Sequence, residues 1–273
     1  MVEALTLSHL RALFLKPRER HWHKGLSGHV VIVGGECGYA GAPRMAAEAA
    51  LRVGAGLVSV ATRPEHAPFM NATLPEVMCH GVTKTNQLDV LFQKATVLII
   101  GPGLGQTDWS YQMWAHAIAS DLSKVVDADG LNLLSKHPMQ SDRWVLTPHL
   151  GEAARLLDQT IAEIEQDRLL VGQTIQEKYR GVCVVKGADS LICDRASAFV
   201  CEEGNPGMAT AGMGDVLSGV IGGLIAQGLL LVDAAKLGVS IHAAAGDLAA
   251  SESGERGMIA TDLMPFLRRL ANV

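Results

Sequence analysis

The chain is 273 residues long, 48% hydrophobic, 19% charged and 4% aromatic, with 29 glycines; this is the make-up of one ordinary soluble α/β domain, and no linker divides it. Lys and Arg number 23 against 28 Asp and Glu, a formal net charge of −5 with no basic stripe, which argues against a nucleic-acid partner held through its phosphates. Five cysteines (Cys37, Cys79, Cys183, Cys193, Cys201) without a C-x-x-C pair fit neither a disulfide framework nor a zinc site and point to a reducing compartment, the cytoplasm.

The first segment, MVEALTLSHLRALFL, has an acid at Glu3 and apolar residues at helical spacing. A secretory signal would start basic and run on as a continuous apolar stretch, so residues 1–22 are expected to form a leader helix retained in the mature protein. The basic run KPRERHWHK that follows contains Glu19 and reads as a solvated stretch rather than a binding patch. Beyond it, short β-branched runs alternate with helical patterns, the sequence form of βα units on a mostly parallel sheet. Strands are predicted at 29–33, 57–61, 97–100, 124–127, 144–146 and 182–186, most of them continuously apolar as buried parallel strands should be. Pro43 opens a helix rich in alanine, with Gly54 beyond its end. Thr160 and Glu163 form a capping box ahead of a long helix ending near Tyr179. Residues 190–193 and 198–201 read as a hairpin, and the remainder as mostly helical. The uncharged stretch from Val216 to Val232, with Gly219 and Gly223 in G-x-x-x-G spacing, imitates a membrane span. It is shorter than the roughly 20 residues a span needs, and a buried helix is expected there.

Five loops follow five of the strands: GGECGYAGA, GPGLG, DADGLN, TPHLGE and KGADS. Open α/β sheets bind ligands at the carboxyl ends of their strands, so these loops are expected to line one crevice. The richest segment, GNPGMATAGMGDVLSG at 204–219, reads as an anion site followed by a base. Gly212 and Gly214 permit tight turns, and the helix starting there aims free N–H groups and its positive dipole end at a phosphate. Asp215 in the first turn can take a proton from a hydroxyl beside that phosphate, or it can merely complement the dipole. Neither a P-loop nor a G-x-G-x-x-G dinucleotide fingerprint is present. Lys186 could reach a nucleotide phosphate or hold a carboxylate at the sheet end. His149 could be functional or could cap a helix. Asp127 and Asp129 could help hold a hydrated Mg²⁺, unless Asp129 caps the helix beginning near Gly130.

Together these segments resemble the NAD(P)H-hydrate dehydratases of the ribokinase-like superfamily. The likeness runs through HKGLSGHVVIVGG, AALRVGAGLVSVAT, IGPGLGQ, DADGLNLL, LTPHLGEAARLL, VVKGADSLI, NPGMATAGMGDVLSG and RGMIATDL, in the family's order. The resemblance implies a three-layer α/β sandwich with a central, mostly parallel sheet. It also implies removal of the C6 hydroxyl of hydrated NADH or NADPH, with ADP as co-substrate, as in bacterial members, and Mg²⁺ with ligands the motifs leave open. It assigns Ala42, Gly103 and His149 to the hydrated nicotinamide substrate. Lys186, Gly187, Ala188, Asp189, Ser190 and Gly214 fall at the nucleotide, and Asp215 lies beside the substrate hydroxyl as catalytic base. A homo-oligomer, with a tetramer in view, is implied, and so is a functional partner that epimerises the hydrate. In many bacteria that epimerase is the amino-terminal half of the same protein. Here residues 1–22 alone precede the likeness, so 1–273 is expected to be a single dehydratase domain without an epimerase domain. Two rival readings fit the same residues: a kinase of a small hydroxyalkyl heterocycle, and a nucleotide-binding sensor without turnover.

Overall fold

The computed structural model describes residues 2–72 and 74–272. Its strands are β1 (Val2–Ala4), β2 (His29–Val33), β3 (Leu57–Thr62), β4 (Met78–Gly81), β5 (Val97–Ile100), β6 (Ser123–Val126), β7 (Trp144–Leu146), β8 (Val182–Val185), β9 (Ser190–Cys193) and β10 (Ala198–Cys201). They make one sheet in the order β1-β10-β9-β8-β7-β6-β5-β2-β3-β4, parallel except where β9 pairs antiparallel with β8 and β10. Side chains alternate across it. Val30, Ile32, Val97, Ile99, Val125, Val145 and Val184 enter one core, and their neighbours Val31, Val33, Leu98, Ile100, Val126, Leu146 and Cys183 enter the other.

Helices α1 (Leu7–Phe14), α2 (Gly41–Arg52) and α3 (Ala67–Met70) contribute to the first core. The second is covered by α4 (Asn86–Phe92), α5 (Asp108–Ile118), α6 (Asp129–Lys136), α7 (Leu150–Leu157), α8 (Ile161–Gln166) and α9 (Arg168–Tyr179). The chain then returns to the first with α10 (Met213–Ala226), α11 (Leu231–Ser253) and α12 (Met264–Leu270). The result is the expected three-layer sandwich.

Local differences from the expectation have physical causes. The leader is not one helix: residues 2–4 pair as an edge strand with β10, and only Leu7–Phe14 is helical. The strand β4, sequence MCHG, lacks a β-branched residue and exists because β3 offers it an open edge. The helix expected after the Thr160–Glu163 capping box is two helices. The box is present, but Asp167 leaves helical geometry at φ −150° and caps α9 by accepting from the Leu170 N–H. Among the described residues no helix is long and apolar enough to cross a membrane.

The apolar stretch 216–232 is the buried helix α10 and the start of α11. Its glycines make room for α2 rather than for a second membrane helix. A Cβ on Gly219 would stand 2.2 Å from the Ala46 carbonyl oxygen, and one on Gly223 would stand 2.9 Å from that of Ala50. The facing side of α2 carries Ala46, Ala49 and Ala50, so the two backbones pack closely and fix where α10 begins. The sheet order also reverses between β2 and β5. The chain leaves β2 through α2 on one face and β5 through α5 on the other, and such a switch point opens a crevice between the two following loops.

Gly219→Ala should lower stability by about 1–3 kcal/mol, because the obstacle is backbone and overpacking outweighs the ~1 kcal/mol gained in helix propensity. Thermal unfolding should register a Tm several degrees lower. An unchanged or higher Tm would show that α2 and α10 are not in this contact.

Candidate functional site

The carboxyl ends of β6, β7 and β8 and the start of α10 meet around one lysine. Lys186 follows β8, and its Nζ donates to Asp127 Oδ1 at 2.6 Å, with Glu152 Oε2 at 3.6 Å. Asp127, just past β6, is 1% exposed; its other oxygen accepts from the Ser218 hydroxyl at 2.8 Å. Burial alone would raise the Asp127 proton affinity, but Lys186 and the donated hydrogen bonds hold it below the ordinary value. Burial would likewise strip the proton from Lys186, and Asp127 and Glu152 hold it on. Of the two roles open to Lys186 from sequence, holding a carboxylate at the sheet end is therefore realised. The same ammonium lies 3.2 Å from where a Cβ on Gly214 would stand, so Gly214 lets α10 approach the ion pair.

His149 is the N-cap of α7. Its Nδ1 accepts from the Gly151 N–H at 3.0 Å, and Glu152 Oε2 accepts from the His149 N–H at 2.8 Å. With Nδ1 accepting, a neutral ring carries its proton on Nε2, which lies 3.4 Å from Glu152 Oε1. Burial, then Lys186, lower the imidazole's proton affinity. Glu152 is itself buried, and burial and Asp127 raise its proton affinity against the pull of Lys186.

Gly212 is the N-cap of α10 at φ +93°, a left-handed conformation suited to glycine, and Asp215 sits in the first turn. Its carboxyl is pushed up to about 7, by burial first and by Asp127 second. The KGADS loop turns away from β8 through Gly187 at φ +147° and Asp189 at φ +53°. Ser190 Oγ donates to the Gly187 carbonyl at 2.8 Å, and Arg168 of α9 donates to the Ala188 carbonyl. A cavity of about 840 Å³ joins Asp127, His149, Glu152, residues 186–190, residues 212–215 and part of α11.

Only three of the five loops line this cavity. The other two meet each other at the switch point: the Gly35 N–H donates to the Pro102 carbonyl and the Glu36 N–H to the Gly103 carbonyl. Gly103 at φ +57° lies so close to Tyr39 and Ala42 that a Cβ there would be 3.1 Å from that of Ala42. Ala42 and Gly103 are thus brought together but outside the lining of the large cavity. Glu36 ties the pair, accepting from the Cys37 N–H at 2.8 Å and from the Thr107 hydroxyl and forming a 2.9 Å ion pair with Arg63. Asp129 does not join Asp127. Its carboxylate accepts from the Gly105 N–H and from Asn132, and Ala128 occupies the N-cap of α6. Among the described residues no group of three or more His, Cys, Asp or Glu side chains could hold a metal. Glu152, Ser218, Arg168 and Glu36 escape sequence reasoning. Of these, Glu152 alone left a signal, as the third residue after His149 in a capping box.

The model of a family described as NAD(P)H-hydrate dehydratase matches residues 30–269. A bifunctional NAD(P)H-hydrate repair enzyme of Coxiella burnetii is 55% identical over 259 residues, covering 94% of this chain and 53% of the relative. The chain spans about half the length of the curated relatives it matches. Among solved structures, a ribokinase-like superfamily protein of Enterococcus faecalis superposes with TM-score 0.89 at 29% identity, over 99% of this chain and 95% of the other. The ADP/ATP-dependent NAD(P)H-hydrate dehydratase of Bacillus subtilis, co-crystallised with ATP and Mg²⁺, gives TM-score 0.90 at 27% identity over 98% and 97%.

The raised Asp215 carboxyl has a consequence for stability. The folded state keeps this proton to a higher pH than the unfolded chain does, so the stabilisation is complete below about pH 4 and is lost as pH rises to about 7. Asp215→Asn should therefore be the more stable protein above pH 7, by on the order of 1–3 kcal/mol. In urea unfolding the gap between variant and parent should widen from pH 5 to pH 8. A gap that is constant or narrows would contradict a carboxyl held protonated by burial.

Proposed function

Because the chain belongs to the NAD(P)H-hydrate dehydratase family, we propose that it dehydrates (6S)-NAD(P)H hydrate with ADP as co-substrate, yielding NAD(P)H, AMP and phosphate. The observation that carries this reading is the place of Asp215, in the first turn of α10 with Lys186 beside that helix end. Hydroxide is a poor leaving group near neutral pH, whereas a phosphate ester departs readily. Asp215 takes the proton of the C6 hydroxyl as its oxygen attacks the terminal phosphorus and the bond to AMP breaks. Phosphate then leaves C6 with the bonding electrons, pushed by the ring nitrogen, and loss of a C5 proton restores the double bond. The free N–H groups at the start of α10 and Lys186 stabilise the phosphoryl charge.

Ala42 and Gly103 at the switch point and His149 at the start of α7 serve the hydrated nicotinamide in this reading, and residues 186–190 with Gly214 serve the nucleotide. Mg²⁺ fits as an ion that keeps waters and phosphate oxygens as most of its ligands and needs only one or two carboxylates. Glu152 would hold it through Oε1, since its Oε2 accepts from the His149 N–H and Asp127 is taken by Lys186 and Ser218. Bound there, it would offset phosphate charge. The (6S) epimer calls for a partner activity that interconverts epimers, and the relatives' name, bifunctional repair enzyme, leaves room for a second activity. A homotetramer in the cytoplasm completes the proposal, with light scattering as the check on assembly.

The deciding experiment supplies hydrated NADH, ADP and Mg²⁺ and follows near-ultraviolet absorbance and phosphate release together. Restored NADH with AMP and phosphate is expected. A stable phosphorylated alcohol would mean a kinase, and no turnover would mean a sensor. ATP turning over with much higher kcat/KM than ADP would overturn the nucleotide assignment.

Asp215→Asn should lower kcat by about 10²–10⁴-fold with both ligands still binding. In the parent, kcat/KM should rise with pH up to about 7, as the base ionises. A variant retaining a tenth of the parent rate would remove Asp215 from the mechanism. Lys186→Ala should raise the KM for ADP more than that for the hydrate, and an unchanged KM for ADP would leave Lys186 a purely structural residue.

A further inference from the structure

Ala42 and Gly103 bring no polar side chain to the switch point, so what they can offer a ligand is shape and main-chain groups. Such a surface is only as good as the spacing of the two backbones that carry it, one at the start of α2 and one in the loop after β5. An error of about 1 Å in positioning of this kind can cost on the order of 10²-fold in rate. Glu36 sets the spacing. Its N–H donates to the Gly103 carbonyl at 2.7 Å, and its side-chain stem lies 3.1 Å from where a Cβ on Gly105 would stand. Its Oε2 crosses to the start of α5, accepting from the hydroxyl of Thr107, the N-cap, and from that of Ser110 at 3.4 Å. Its Oε1 accepts from the Cys37 N–H at 2.8 Å and faces Arg63, just past β3, at 2.9 Å. The Arg63 guanidinium is itself held over the Trp109 ring. Glu36 is only 6% exposed. Burial alone would raise its proton affinity, but Thr107, the Cys37 N–H and Arg63 hold it below the ordinary carboxylate value. Both oxygens are thus engaged by the protein itself, and the carboxylate is a tie between loops rather than a group facing a ligand.

We propose that Glu36 is a positioning residue for the hydrate: by tying the loop after β2 to the loop after β5, it fixes the gap between Ala42 and Gly103 against which the hydrated nicotinamide fits. The inference rests on the hydrate binding at the switch point, as in the function proposed above. It adds to that subsite the residue that holds its shape. The nucleotide residues 186–190 and Gly214 line the large cavity, which Glu36 does not, so the two ligands should respond differently to its loss.

The test compares the parent with Glu36→Gln, which keeps the size but removes the charge that Arg63 faces, and with Glu36→Asp, which keeps the charge but is too short to span both sides. Three quantities are read: the KM for hydrated NADH, calorimetric binding of ADP without hydrate, and hydrogen exchange of the backbone amides of the ligand-free protein. Glu36→Gln should raise the KM for the hydrate by roughly tenfold or more, with the Kd for ADP within about twofold of the parent's. Amides at 35–37 and 105–107 should exchange faster than in the parent, while those of β8 and α10 should not. Glu36→Asp should fall between parent and Glu36→Gln in all of these, and it decides the matter if the Gln variant fails to fold by circular dichroism. An unchanged KM for the hydrate would overturn the proposal, and so would hydrate and ADP weakening alike, the mark of a merely structural role. A raised KM with unchanged exchange would also overturn it, since Glu36 would then touch the hydrate directly. Any of these results leaves the dehydratase reading standing. If the parent itself does not turn over the hydrate, that reading falls and this inference falls with it.

Discussion

Lys186 faces the carboxylates of Asp127, Glu152 and Asp215 where little water enters, and one ammonium cannot neutralise three anions at low dielectric. Asp127 takes most of it, through a 2.6 Å contact and full burial. Glu152 and Asp215 are left with raised proton affinities, for which burial and the neighbouring Asp127 charge are responsible. Ser218 completes the hydrogen bonding of Asp127 from inside α10. A phosphate entering this space adds negative charge, so it must share Lys186 or arrive with a cation of its own. A carboxyl poised near neutrality and a crevice that wants cationic company follow from the same imbalance.

The ion pair can sit where it does because glycines let backbones come close. Gly214 leaves space beside the Lys186 ammonium, Gly212 turns the chain into α10, and Gly219 and Gly223 seat that helix on the alanines of α2. Packing between α2 and α10 therefore sets the position of the first turn of α10, and with it Asp215. The far end of α10 is tied to the leader, where Arg18 donates to the Gly54 carbonyl and to Gln227. A second cavity of about 810 Å³ opens at that end, and it contains none of the loops that follow strand ends. Volume does not distinguish the two cavities; position at the carboxyl ends of the strands, where open α/β sheets bind ligands, does.

His149 shows how a capping residue comes to border the buried ion pair. Its capping bonds fix the ring, and the ring in turn lies against Glu152, which borders Lys186. The two readings open to it from sequence are compatible, because an N-cap after a strand end is also the edge of a ligand crevice.

Strand periodicity, the glycine-aspartate helix start and the hairpin were legible in the sequence because each is a local property. Runs such as HVVIV and VLII fill both faces of a parallel strand whatever their neighbours, and Gly212 followed by Asp215 reads as a helix start from torsional freedom and dipole alone. The edge strands β1 and β4 were not legible, since their pairing comes from β10 and β3 and not from their own residues. The break at Asp167 was hidden for a related reason, because a capping aspartate looks like any polar residue inside a helical pattern. Tertiary structure alone decided the partners of the charged groups. Asp127 and Lys186 are 59 positions apart and Asp127 and Ser218 are 91 apart, and only the sheet order makes them neighbours. Asp129, two residues from Asp127, turns instead to the Gly105 loop. Sequence determined which residues could carry charge and which could bend; the order of the strands determined which charges had to share one lysine, because electrostatics depends on distance in space and not along the chain.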